Sequence, residues 1–183
     1  RAEGVPLVLY NLPQMTKNDM TPSLARQVTD ATGSYVAIKD SKGDPGQFEE
    51  LFELRDRLNI LAGDEEICRL VLGRADGCVP AAANVFPLLW RRIMDESRDA
   101  EALGRHHASV MAVKRDVYGL PAMPQVISGI LTALEMLQIG DGPTAPFLPV
   151  ERLAAGQGLR ERIAATLRKM REYVPEPWRS RIP

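Results

Sequence analysis

Short apolar runs alternate with capped amphipathic segments through the first half of the chain, and that alternation leaves few folds open. Leu7, Val8 and Leu9 make a continuous apolar run inside a strand expected from Pro6 to Tyr10. Runs without polar alternation suit a parallel sheet covered on both faces. Thr21 and Pro22 read as the cap and first residue of a helix, with Leu24, Ala25 and Val28 as its buried stripe and Gly33 as its stop. A second strand is expected from Tyr35 to Lys39. Asp44 and Pro45 then open a helix reaching about Leu58, with Phe48, Leu51, Phe52 and Arg55 along one side. A third strand spans Asn59 to Ala62, followed by Asp64 as cap and Ile67, Leu70 and Val71 facing inward. A fourth runs from Asp76 to Pro80. Ala81-Ala82-Ala83-Asn84 leads on to a helix with Val85, Leu88, Leu89 and Ile93 apolar. Strands that are each followed by a helix at this spacing predict a parallel α/β architecture. A helical bundle would have to ignore all of these units. Neither a Gly-x-Gly-x-x-Gly after a strand nor a Walker lysine loop is present, so nucleotide-binding folds lack their fingerprint.

Beyond about residue 97 the pattern turns helical. Helices are expected from Asp99 to Val117, from Pro124 to Gln138, and from Glu151 to about Tyr173. Gly140 to Pro143 and Pro146 to Pro149 break the pattern between them. The last of these helices carries Leu159, Ile163, Leu167 and Met170 on one face, and Pro175 to Trp178 reads as an extended tail. The expected division is 1–97 for the βα units and 98–183 for the C-terminal helices and tail.

Composition excludes several partners. The 183 residues hold 23 Lys plus Arg against 24 Asp plus Glu, a formal charge of -1, so neither nucleic acid nor an anionic membrane is indicated. Aromatic residues at 5% are too few for base-stacking platforms. Cys68 and Cys78 make neither a disulfide framework nor a ligand cluster. They suit buried thiols in a reducing, cytoplasmic setting. His106 and His107 lie mid-helix with no carboxylate or thiol at ligand spacing, so no metal is expected. No apolar run reaches a membrane span. Arg1 to Gly4 lack the apolar segment of a signal peptide and read as a helix end with a glycine stop, so the chain is expected to open mid-protein.

The most informative stretch is Tyr35-Val36-Ala37-Ile38-Lys39-Asp40-Ser41-Lys42-Gly43-Asp44. Alternation puts Tyr35, Ala37 and Lys39 on one face and Val36 and Ile38 on the other. A lysine at the carboxyl end of a strand, before a βα loop, sits where barrel enzymes gather catalytic groups. Lysine forms Schiff bases with carbonyl substrates when its amine is held neutral. Read alone, the same residue also fits a lysine snorkelling from a strand end. Lys42 reads as a solvated loop lysine, able to act on Lys39 only by like-charge repulsion. Tyr118 reads as a packing residue.

Tyr10-Asn11-Leu12-Pro13, Ile38-Lys39-Asp40-Ser41-Lys42-Gly43-Asp44, Ala62-Gly63-Asp64-Glu65 and Gly77-Cys78-Val79-Pro80-Ala81-Ala82-Ala83-Asn84 form an ordered set. In this order and spacing they resemble the dihydrodipicolinate synthase and N-acetylneuraminate lyase family of pyruvate-dependent class I aldolases. The resemblance covers about residues 1 to 140. It implies the C-terminal half of a (β/α)8 TIM barrel, four βα units, followed by a helical extension. Lys39 matches the lysine that forms the imine with pyruvate, and Tyr10 the strand-end tyrosine that shuttles protons. Gly63 and Val79 match positions lining the pyruvate pocket, where Gly63 gives space and Val79 an apolar wall. The implied cofactor is none beyond the covalent imine. The implied partners are pyruvate or another 2-keto acid and, from the family's usual assembly, further copies of the chain.

Two departures from the family shape the expectation. In dihydrodipicolinate synthases an arginine five positions after the tyrosine binds the aldehyde's carboxylate. Here that position is Met15, and a thioether cannot make a bidentate carboxylate pair. Cleavage of 2-keto-3-deoxy sugar acids is therefore expected over condensation of pyruvate with aspartate semialdehyde. The family's early strands, with the threonine pair that grips the pyruvate carboxylate and a second relay tyrosine, have no counterpart here. The expectation is the C-terminal part of a protein of about 300 residues, inactive alone. A truncated, non-catalytic fragment is the rival reading.

Overall fold

A computed structural model of the chain describes residues 4–65, 74–113, 115 and 157–182. The described residues fall in two compact units, Arg1–Ala81 with Glu96–Ala100, and Ala82–Asp95 with Glu101–Pro183.

In the first unit, β1 (Leu7–Asn11), β2 (Tyr35–Asp40), β3 (Asn59–Ala62) and β4 (Gly77–Cys78) form one sheet in the order β1-β2-β3-β4. All three pairings are parallel. This is half of a (β/α)8 barrel, with the helices that follow in the chain as its extension. Between the strands lie α1 (Pro13–Thr16), α2 (Pro22–Thr32) and α3 (Pro45–Leu51). The caps form as the sequence predicts. Thr21 accepts from the Leu24 N–H, Asp44 accepts from the Gly46 and Gln47 N–H groups, and Gly33 ends α2 at φ 62°. One face of the sheet, carrying Leu9, Ile38 and Ile60, is buried, as are Phe48, Leu51, Leu54 and Leu58. Each large side chain so buried contributes about 1.5–3 kcal/mol.

Several boundaries move for tertiary reasons. α2 buries Ala25 and Thr29, while Leu24 is exposed. Thr29 tolerates this because its hydroxyl donates to the Ala25 carbonyl at 2.8 Å. The helix after Asp44 is shorter than its periodicity predicts. It tightens into a 3-10 turn at Phe52–Leu54, and Leu58 is buried at the entrance to β3. β2 continues to Asp40, and β1 begins at Leu7 and continues to Asn11. β4 is only two residues long.

The second unit contains the 3-10 turn Ala81–Asn84 from Ala82 onward, then α4 (Pro87–Asp95), α5 (Ala100–Val113) from Glu101 onward and α6 (Gln157–Lys169). Leu89, Trp90, Ile93, Val110, Leu167 and Met170 are buried in it. α4 packs against a 3-10 turn at Arg171–Tyr173, where Arg92 pairs with Glu172 at 2.6 Å. His106 faces this core, with Nδ1 3.5 Å from the Tyr173 hydroxyl. The expected extended tail is instead a helical turn, α7 (Glu176–Arg179). It is held by Arg179 Nε donating to the Val174 carbonyl at 2.6 Å. The expected inward face Ile67, Leu70 and Val71, Cys68, Tyr118, the helix Pro124 to Gln138, the breaks at 140–149 and the side chains of Leu159 and Ile163 lie outside what is described.

Candidate active site

Parallel register sets the site. Tyr10 pairs with Lys39, Lys39 with Leu61, and Leu61 with Gly77, so these positions form one row across the four strands. They stand on the face opposite Leu9, Ile38 and Ile60. In a barrel that face points inward. The row lies at or next to the carboxyl ends of the strands, where the βα loops begin.

Lys39 Nζ lies 4.3 Å from the centroid of the Tyr10 ring. This is within cation–π range, so the amine rests on the face of the ring while it is charged. Tyr10 is 50% exposed.

Gly63 directly follows β3, and its N–H donates to the Asp40 carbonyl at 2.7 Å. A Cβ there would lie 2.1 Å from Ser41 Oγ, 2.8 Å from Lys39 Cε and 3.0 Å from the Asp40 carbonyl oxygen. A side chain at this position would crowd Ser41, Lys39 and the Asp40 backbone, and glycine leaves that space to the lysine. The same point brings in Ser41. Its hydroxyl is buried with no hydrogen-bond partner among the described residues, and it crowds the space that Lys39 Cε also borders. A buried hydroxyl without a partner is costly and marks a place where a polar ligand group would be welcomed.

Val79 follows β4, is 45% exposed, and donates its N–H to the Ala62 carbonyl at 2.8 Å. The strand order puts β3 between Val79 and Lys39. Met15 lies on α1, directly after β1, and is 69% exposed. Tyr10, Lys39 and Gly63 thus converge, with Val79 and Met15 on flanking segments.

Behind this row lies a polar layer that the sequence reading missed. Asn11 and Asp40 are each 1% exposed, and Asn11 Nδ2 donates to Asp40 Oδ2 at 2.7 Å. Asn11 Nδ2 also donates to Asp19 Oδ1 at 3.1 Å, and Asn11 Oδ1 accepts from the Met20 N–H at 2.9 Å. Asp40 Oδ1 accepts from the Lys42 N–H at 3.0 Å. Lys42 is no freely solvated loop lysine. Its Nζ donates to Asp19 Oδ2 and to Gln47 Oε1, both at 2.7 Å. Burial pushes the Asp40 carboxyl up, opposed by the Asn11 hydrogen bond. The hydrogen bond from Lys42 holds the Asp19 carboxyl below its ordinary value, and its counterpart raises Lys42. The available signal was alternation itself: Asn11 and Asp40 follow Tyr10 and Lys39, so both turn toward an apolar face and need partners there.

Four parallel strands backed by helices, with Tyr10 and Lys39 paired next to the carboxyl ends of two of them, define a segment of a (β/α)8-barrel protein. The model of the dihydrodipicolinate synthetase family matches residues 1–164, and the chain belongs to that family. The 4-hydroxy-tetrahydrodipicolinate synthase of Xanthomonas campestris pv. campestris is 30% identical over 169 residues, covering 88% of this chain and 53% of that protein. The solved dihydrodipicolinate synthase of Bacteroides thetaiotaomicron superposes with a TM-score of 0.69 at 28% identity, over 91% of this chain and 56% of that one. A synthase from Acinetobacter baumannii, solved with pyruvate, gives a TM-score of 0.76 over 91% and 56% of the two chains; at 22% identity it shares the fold. The chain spans about half the length of the curated relatives it matches. Among the described residues no helix is long and apolar enough to cross a membrane, and no group of three His, Cys, Asp or Glu could hold a metal ion.

Proposed function

We propose that this chain supplies the imine-forming lysine and the proton-relay tyrosine of a class I aldolase acting on pyruvate-derived 2-keto acids. The barrel would be completed by four further βα units. The observation that carries the reading is the Lys39 amine 4.3 Å from the Tyr10 ring, at neighbouring strand ends of a chain that belongs to this family. The neutral amine adds to the keto carbon, and loss of water leaves an iminium. The bond between C3 and C4 then breaks. Its electron pair becomes the enamine, while the C4 hydroxyl gives up its proton and leaves as an aldehyde. Tyr10 is the group that accepts and returns that proton. Gly63 keeps the space beside Lys39 Cε open, and Ser41 offers its unused hydroxyl to a polar group of the substrate. Val79 contributes an apolar rim. Assembly into a homo-oligomer belongs to the same reading.

The preferred substrates are 2-keto-3-deoxy sugar acids, because Met15 cannot pair with a second carboxylate. Condensation of pyruvate with aspartate semialdehyde is the second reading, favoured by the names of relatives such as the Xanthomonas campestris synthase. The test is borohydride reduction in the presence of pyruvate, using the protein with a completed barrel. A three-carbon adduct is expected on the tryptic peptide carrying Lys39. An adduct on Lys42, or none, would overturn the reading. On the same protein, kcat/KM for a sugar acid is expected to exceed that for aspartate semialdehyde, and the reverse order would overturn the substrate preference.

A further inference from the structure

We infer that Asn11 and Asp40 are a positioning pair that holds the Tyr10 phenol and the Lys39 amine in register, a step beyond the proposed aldolase reading and resting on it.

Each residue follows its reactive neighbour in the chain and stands opposite the other across β1 and β2, Asn11 against Asp40. A buried 2.7 Å hydrogen bond therefore joins the backs of the two positions whose fronts carry the chemistry. The neighbouring backbone is tied at the same level, where the Ser41 N–H donates to the Asn11 carbonyl at 2.9 Å. Sliding either strand end would break the side-chain bond and leave the buried Asp40 carboxylate with only the Lys42 N–H of its two donors, a costly state. The two strand ends are therefore locked at the one offset that lays the amine over the phenol ring.

The choice of residues is specific. Asn11 spends its amide N–H groups on Asp40 and Asp19, and its carbonyl on the Met20 N–H. Aspartate at position 11 has the same shape but no donor, and would set a carboxylate against two others. Lys42 and Gln47 engage Asp19 from the far side, at 2.7 and 3.1 Å, so the loop carrying Asp19 is anchored to the segment after β2. Neither Asn11 nor Asp40 shares the face of the reacting carbon. Their effect would pass through Tyr10 and Lys39, as positioning residues act.

The experiment uses the protein with a completed barrel and pyruvate as the only probe. It measures trapping of the Lys39 imine and the rate at which C3 hydrogens of pyruvate exchange with solvent deuterium, which requires the enamine. Asn11→Asp is expected to slow exchange by at least about tenfold while the imine still reaches a trappable level. Combining it with Asp40→Asn restores a donor–acceptor pair of reversed direction and should recover part of the rate, since Asp19 still faces a carboxylate in place of its Asn11 donor. In a Tyr10→Phe background Asn11→Asp should cost clearly less than in the parent, because the hydroxyl has gone and only the placement of Lys39 remains to be disturbed. Exchange at the parent rate in Asn11→Asp, or the same loss in both backgrounds, would overturn the inference. Should Asn11→Asp not fold, Asn11→Ser, too short to reach Asp40, is read the same way. Failure of both to fold also counts against the pair, which is assigned to positioning rather than to folding. No Lys39 adduct in the unsubstituted protein removes the aldolase reading and this inference together; an adduct with unaffected variants removes the inference alone.

Discussion

Gly63 shows how one missing atom can shape a site. Its turn after β3 requires no positive φ, so conformational freedom does not explain the glycine. Space does: the Cβ of alanine would meet Ser41 Oγ, Lys39 Cε and the Asp40 carbonyl oxygen within 3.0 Å. Ser41 can rotate and Lys39 can bend away, but the Asp40 carbonyl is backbone, tied to the Gly63 N–H. Gly63→Ala should therefore fold with a loss of about 1–3 kcal/mol, read as a lower urea midpoint. Displacing the amine from its place over Tyr10 should slow formation of the pyruvate adduct by up to about 10²-fold. Adduct formation at the parent rate would mean that side-chain rotation alone relieves the crowding.

At the scale of elements, the polar layer joins the loop after β1 to the loop and helix after β2. Asp19 accepts from Lys42 and Gln47, and its folded-state pKa lies below the ordinary 3.8. A carboxylate lowered in this way adds stability that is present above its unfolded value and is lost as pH falls through the folded one. Asp44 at the start of α3 behaves alike, held down chiefly by the Gln47 N–H. Asp40 has the opposite sign, since burial raises it and protonation eases its penalty on acidification. Asp19→Asn should flatten the fall of the urea midpoint between about pH 5 and pH 2, with the slope left by Asp44 remaining. An unchanged slope would show that the ion pair with Lys42 is spent on side-chain ordering. The caps at Thr21 and Asp44 and the stop at Gly33 were legible because each is decided within a few residues. The place of Lys39 next to the carboxyl end of β2 was legible because the strand pattern and the turn after it are local. The length of α3 was not, because burial of Leu58 decides it, and neither was the turn at Glu176–Arg179, which rests on a side-chain bond from Arg179 to the Val174 carbonyl that no capping pattern announces. Lys42 was misread because its partner Asp19 lies 23 residues away in sequence.

The whole molecule presents a sheet with one finished face. Leu9, Ile38 and Ile60 are buried behind it, whereas Val8 on the opposite face is 51% exposed, as is half of Tyr10. In a closed barrel of eight strands those positions fill the interior against the other strands. Among the described residues β1 ends the strand order and pairs with β2 alone, which makes it an edge strand. Exposed apolar side chains beside open strand edges favour association over a stable monomer. The 183-residue chain alone is therefore expected to sediment as more than a monomer and to show no turnover of pyruvate-derived substrates. Supplying the remaining βα units, in one chain or as a separate fragment, should restore both the closed barrel core and the Lys39 adduct. Sedimentation velocity and a turnover assay on the isolated chain decide the matter. A well-folded monomer that cleaves a 2-keto acid would show that four strands suffice to build this site.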